Sequence, residues 1–179
     1  MRENRPNTRI NQQNQTEVNN MSEPVLTIVE ELKGLKLSKF DNMYDPNFWL
    51  PYIPLTQKSI ERIGEKQYRF DVADKIALDP LGALVKDFRA TGTLEVIDRG
   101  NQGDKGQLWE MKFTVTNPEV IVETRVRAKD VPNALKVGIY ITRLDFDAGL
   151  MQGFGRDAIY FAARVKIREL LQSVQKKMS

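Results

Sequence analysis

The feature that most constrains the fold is a change of period. From Ser59 to Asp145 apolar residues recur at every second position between short turn-like stretches, and from Asp147 onward they recur with helical spacing. No Gly or Pro follows Gly155, so nothing in that last stretch breaks a helix of about 20 to 30 residues. Period two marks strands with one buried face, and a period near 3.6 marks an amphipathic helix. A chain that runs its strands together and then its helix is of the α+β class.

The strands follow from the alternation. Ser59 to Ile63 joins Tyr68, Phe70 and Val72 through Gly64-Glu65-Lys66, a hairpin-length link. Phe88, Ala90, Gly92, Leu94 and Val96 form one face of a longer strand, and Asp98 to Gly106 reads as a flexible Gly-rich turn. Trp109, Met111, Phe113 and Val115 then alternate up to Asn117-Pro118, and Val120, Val122, Thr124, Val126 and Ala128 up to Val131-Pro132-Asn133. Val137, Ile139 and Ile141 complete a last strand that ends near Asp145. No proline interrupts any of these runs, as a hydrogen-bonded ladder requires.

Upstream, Val25 to Glu31 alternates as a first strand, giving about seven in all. Leu37, Phe40, Met43 and Tyr44 have the spacing of a short helix with Ser38 as its cap, and Asp45-Pro46 starts a second that Pro51 and Pro54 end. Six meandering strands with one apolar face twist and curl, so the expected architecture is a curved antiparallel sheet with the long C-terminal helix over its concave face.

Composition then limits the chemistry. The chain has no Cys and no His, which removes thiol nucleophiles, imidazole bases and zinc sites built from either. Carboxylates, Lys, Tyr and Ser remain, without a catalytic constellation. Asp145 and Asp147 read as helix-capping residues, Gly153-Phe154-Gly155-Arg156 matches no phosphate-binding loop, and Tyr140 and Tyr160 have no evident partner to lower their pKa. No catalytic residue, metal or cofactor is therefore expected. With 27 Lys and Arg against 24 Asp and Glu, interspersed, the net charge of +3 suits a solvated surface and not a nucleic-acid partner.

Residues 1–20 contain six Asn and three Gln and no aromatic residue, and read as a disordered tail before a domain over 21–179, with Met21 resembling a start. No apolar run approaches the roughly 20 residues of a membrane span and no signal-peptide pattern opens the chain, so a cytoplasmic location is expected.

The inward positions are the candidate site: Tyr68, Phe70, Phe88, Leu94, Trp109, Met111, Phe113, Val122, Ile139 and Ile141 from the sheet, faced by Leu150, Phe154, Phe161 and Val165 from the helix. They either interdigitate as a plain core or leave a cavity for a hydrophobic small molecule. The helix carries a second stripe, Tyr160, Ile167, Leu170, Leu171, Val174 and Met178, on nearly the opposite side and next to Lys176 and Lys177. One straight helix cannot bury both stripes on one sheet. The second is therefore available to its own domain, to a protein partner or to a membrane surface.

The segment from Asp45 to Val72, DPNFWLPYIPLTQKSIERIGEKQYRFDV, resembles the START-like, or SRPBCC, superfamily with the helix-grip fold. Within that superfamily it is most similar to the carbon monoxide dehydrogenase G-like proteins. The likeness rests on Asp45-Pro46, on Ile53-Pro54 and on Gly64-Glu65-Lys66-Gln67-Tyr68, although Leu55-Thr56 stands where that family usually places Gly. The resemblance implies non-enzymatic binding or transport of a lipid, quinone or polyketide-like molecule between sheet and helix, and a role as accessory factor of a molybdenum hydroxylase. A cofactor-free cyclase or isomerase and a protein-interaction module are the other readings.

Overall fold

The computed structural model describes residues 23–40, 42, 44–117, 119–146 and 156–179. The expected tail, Met21, and the positions Asp147, Leu150 and Phe154 lie outside the described residues. In chain order the elements are β1 (Leu26–Lys33), a 3-10 turn (Leu37–Phe40), α1 (Pro46–Trp49), β2 (Gln57–Arg62), β3 (Gln67–Ala77), β4 (Val85–Asn101), a second 3-10 turn (Gly103–Lys105), β5 (Gln107–Asn117), β6 (Glu119–Val131), β7 (Ala134–Phe146) and α2 (Arg156–Met178). The strands form one antiparallel open sheet of seven, ordered β1-β7-β6-β5-β4-β3-β2. The fold is α+β.

Register turns the alternation into a surface. Across the sheet Tyr68, Leu94, Phe113 and Val122 stand side by side; the next row is Val96, Met111, Thr124, Ile141 and Leu26, and the next is Trp109, Val126, Ile139 and Ile28. Three residues are skipped in a ladder and act as bulges: Arg99 in β4 and Thr116 in β5 where those two strands pair, and Thr142 in β7 where it pairs with β6. A bulge bends its strand and sharpens its twist. The one at Thr142 also resets the alternation, so that Leu144 follows Ile141 on the inner face. Opposite the bulge at Thr116 the strands approach so closely that a Cβ on Gly92 would stand 2.2 Å from the Thr114 carbonyl oxygen.

Two short elements differ from expectation. The first helix stops as a 3-10 turn at Phe40, one turn long, whereas the second forms as read: Asp45 caps α1, its Oδ1 accepting from the Asn47 N–H at 2.9 Å, and Pro46 occupies the first turn. The Asp98–Gly106 stretch is more ordered than a flexible turn. β4 continues to Asn101, and the 3-10 turn closes on Gly106, where positive φ and a neighbouring Ala128 carbonyl leave no room for a side chain.

The inner face carries two buried clusters. One joins Leu26, Ile28 and Leu32 of β1, Trp109, Val126, Leu135, Val137 and Ile139 of the central strands, Phe40, and Leu171 and Val174 of α2. The other groups Tyr68, Phe70, Ala90, Leu94 and Val96 of β3 and β4. α2 lies along β1, tied there by Arg168 to Glu30 at 3.4 Å and by Gln175 Nε2 donating to the Lys33 carbonyl at 2.9 Å. The second helical stripe is therefore the one that packs. Leu171 and Val174 are fully buried, and Ile167, Leu170 and Met178 pack against the same cluster. Of the three placements open to that stripe, packing on its own domain is the one seen, since Leu171 and Val174 belong to the domain's own core. Phe161 and Val165, expected to face the sheet, are only half-buried and belong to neither cluster.

Candidate functional site

Between α2, the segment after α1 and the sheet lies a cavity of about 370 Å³. Its walls come from seven parts of the fold: Pro46 and Trp49 of α1 with Ile53 after it, Ile60 of β2, Leu94 of β4, Met111 and Phe113 of β5, Val122, Thr124 and Val126 of β6, Val137, Ile139 and Ile141 of β7, and Ile167 and Leu170 of α2. Thr124 supplies the only hydroxyl in this lining, and every other lining side chain is aliphatic, aromatic or a thioether.

Six of the expected residues line this space: Leu94, Met111, Phe113, Val122, Ile139 and Ile141. Tyr68 and Phe70 are buried in the β3–β4 cluster and Phe88 packs on its margin. There Phe70 and Phe113 meet edge to face, with centroids 6.1 Å apart. Trp109 lies in the other cluster, 3% exposed, and its indole Nε1 has no hydrogen-bond partner. Phe161 and Val165 do not reach the cavity. The helix offers Ile167 and Leu170 instead, because the stripe that packs is also the stripe that faces the space.

Three lining residues on β6 and β7, Thr124, Val126 and Val137, sit at alternating positions already visible in the sequence. Ile60 follows from the same rule applied to β2. Trp49 and Ile53 could not be placed by periodicity, because α1 is a single turn and the segment after it is irregular. An aromatic group holds that segment in place: Phe48 meets Trp49 edge to face at 5.3 Å, and Phe40 and Tyr52 both approach Phe48 at 5.8 Å.

The segment from Pro51 to Pro54, which contributes Ile53 to the cavity wall, is also held by three ammonium groups. Lys177 Nζ donates to the Pro51 carbonyl at 2.6 Å, Lys58 Nζ to that of Ile53 at 2.5 Å and Lys166 Nζ to that of Pro54 at 3.4 Å. Irregular backbone has no ladder to satisfy its carbonyls, and these side chains supply the missing donors.

Lys166 makes a second, stronger contact. Its Nζ is 2.7 Å from Asp74 Oδ2, and Thr56 donates its hydroxyl to Asp74 Oδ1 at 2.6 Å. Asp74 continues the Tyr68, Phe70, Val72 alternation and so faces inward, with its side chain 10% exposed. Burial alone would raise its carboxyl. Hydrogen bonds from Lys166, Thr56 and the Lys75 N–H outweigh that and hold it at about 2, below the ordinary 3.8. Burial lowers the Lys166 ammonium, while Asp74 and Glu169, 3.1 Å away, raise it by more, so both partners stay charged. At the far side of the inner face, burial and then the charge of Asp45 push the Tyr68 phenol up.

Among the described residues no group of three or more acidic side chains could hold a metal ion, and no helix is long and apolar enough to cross a membrane. Asp145, exposed, accepts from Arg143 Nε at 2.6 Å.

No family model matches the chain, and no curated protein matches it. Solved structures do. A conserved protein from Geobacillus kaustophilus superposes with a TM-score of 0.62 at 16% identity, covering 85% of this chain and 93% of its own. A protein from Thermus thermophilus gives 0.55 at 10% identity over 86% and 99%, and an uncharacterized protein from Rhizobium leguminosarum gives 0.52 at 12% over 85% and 94%. At these identities the likeness is one of fold.

Proposed function

We propose that this protein binds a hydrophobic small molecule in the cavity between its sheet and α2, and that it belongs to the helix-grip, START-like type of carrier. The observation that carries the reading is the lining itself. A space of about 370 Å³ walled by aliphatic, aromatic and thioether groups falls at the small end of the roughly 300–1,000 Å³ typical of ligand pockets. That size favours a single ring system or a short chain over a two-tailed lipid. Such a wall recognises shape and gains from dispersion and dehydration. It offers one hydroxyl, on Thr124, to orient a polar group, and aliphatic and aromatic groups that transfer no protons. Carriage is therefore favoured over a cyclase or isomerase. The resemblance segment supports the same reading, since Ile53 is part of the wall and Pro54 is one of the clamped carbonyls.

The test is ligand uptake by the full chain. Native mass spectrometry and thermal unfolding in the presence of naphthoquinones, medium-chain fatty acids and simple aromatics should identify at least one class that adds mass and raises Tm. Saturation at about 100 times Kd corresponds to about 2.7 kcal/mol of added stability. Trp49 emission should change with uptake, and Trp49→Phe should abolish that change. Val126→Phe, which fills the cavity, should abolish uptake without lowering Tm. Protein that stays empty across the panel, or a Val126→Phe variant that binds as tightly as the parent, overturns the carrier reading.

A further inference from the structure

The outer face of the sheet bears a second concavity, independent of the inner one. It is an open groove of about 580 Å³ over β1, β6 and β7, and it gathers five cations, Lys105, Arg125, Arg127, Lys129 and Lys136, against two carboxylates, Glu23 and Asp104. Two of the cations are engaged: Arg125 Nε is 3.4 Å from Glu110, and Lys129 Nζ donates to the Asp104 carbonyl at 3.3 Å. Arg127 is different. Its Nη1 is buried and has no hydrogen-bond partner, and no ion pair is made to it among the described residues. A guanidinium stays charged at any working pH, and leaving one of its N–H groups buried without an acceptor is costly. Arg127 also lines the groove, and an anion seated there would meet a guanidinium charge that no carboxylate among the described residues offsets.

The floor beside Arg127 is flat and apolar. Arg127 stands opposite Gly138, and Gly138 opposite Val29. The Tyr140 side chain lies across Gly138, close enough that a Cβ there would stand 2.6 Å from its hydroxyl and 2.8 Å from its ring. The glycine thus lets a tyrosine ring lie down on the sheet instead of standing up from it. Val29, 42% exposed, and Pro24 extend the surface. A ring laid flat next to a guanidinium is a platform for a planar body with an oxyanion at its edge.

We propose that this groove binds a small organic anion, a carboxylate or phosphate carried on a planar apolar body, with Arg127 taking the oxyanion and Tyr140 the planar face. The arrangement is rigid at its centre, because Val29, Arg127, Gly138 and Tyr140 all stand on paired strands. The experiment is an NMR titration of the ¹⁵N-labelled full chain with benzoate, phenyl phosphate and inorganic phosphate. Saturable shifts centred on the Arg127, Gly138 and Tyr140 amides are expected from benzoate or phenyl phosphate, and whichever is tighter identifies the oxyanion. Inorganic phosphate should bind at least tenfold more weakly than phenyl phosphate. Arg127→Gln should weaken the tighter probe at least tenfold, whereas Lys75→Gln, which removes the same charge far from the groove, should leave it within twofold. Arg127→Met should abolish binding and leave Tm unchanged or higher. Shifts that rise linearly without saturation, inorganic phosphate equal to phenyl phosphate, or equal losses from Arg127→Gln and Lys75→Gln would each overturn the proposal.

Discussion

The contact between Asp74 and Lys166 is where the helix grips the far half of the sheet, and Asp74→Asn measures what it contributes. The carboxyl is held at about 2 against an ordinary 3.8, and at about 1.4 kcal/mol per unit that difference amounts to about 2 kcal/mol at neutral pH. With the side chain only 10% exposed, solvent screens little of it. The sign follows from the depressed folded value: the contribution is complete above the unfolded value near 4 and disappears as pH falls from about 4 to about 2. Urea unfolding of parent and variant at pH 7 should therefore differ by about 2 kcal/mol, or roughly 4–8 °C in Tm for a domain of this size. The difference should shrink toward zero by pH 2. A variant within about 0.5 kcal/mol of the parent at pH 7, or a gap that persists unchanged at pH 2, would refute the assignment of that energy to this ion pair.

Leu171→Ala should cost about 2–5 kcal/mol by chemical denaturation, because Leu171 is 1% exposed within the β1–α2 cluster; a cost under 0.5 kcal/mol would mean that the stripe is not core. Gly92→Ala should lower stability by at least the 1–3 kcal/mol typical of overpacking, since its Cβ meets backbone at 2.2 Å and not a movable side chain. A neutral result in thermal unfolding would show that the β4–β5 approach can relax.

The alternation in the sequence located the inner face because neighbouring strands share its parity. The row Val96, Met111, Thr124 and Ile141 is period two read across four strands. Carrying the same rule two positions past Val72 would have found Asp74, which the eye passes over because an acid breaks the apolar run. Helical periodicity identified two stripes on α2 but not which one packs. That choice depends on the angle at which the chain enters the helix, and no local spacing encodes an angle. The bulge at Thr142 is likewise invisible, since it appears only once the two strands are paired. Tertiary placement of irregular backbone put Trp49 and Ile53 in the cavity wall. The outer groove escaped notice because Arg125, Arg127 and Lys129 read as an ordinary solvated face; only the glycine across from Arg127 changes what that face can do.

The sheet order also governs how the chain comes together. β2 to β7 form five successive hairpins, each pairing closed by a short connection, so the meander zips with little loop entropy to overcome at each step. β1 is the exception. Its partner is β7, and Leu26 meets Ile141 across more than a hundred intervening residues. The cluster that β1 builds with Leu171 and Val174 therefore has to wait until both flanking elements arrive. These two elements are therefore expected to close the structure late in folding and to open it early in unfolding, which hydrogen exchange checks: the amides of β1 and α2 should exchange together and before those of β4 to β6. Loosening either one exposes the same apolar surface, so β1 and α2 should behave as a single cooperative unit although they lie at opposite ends of the described chain.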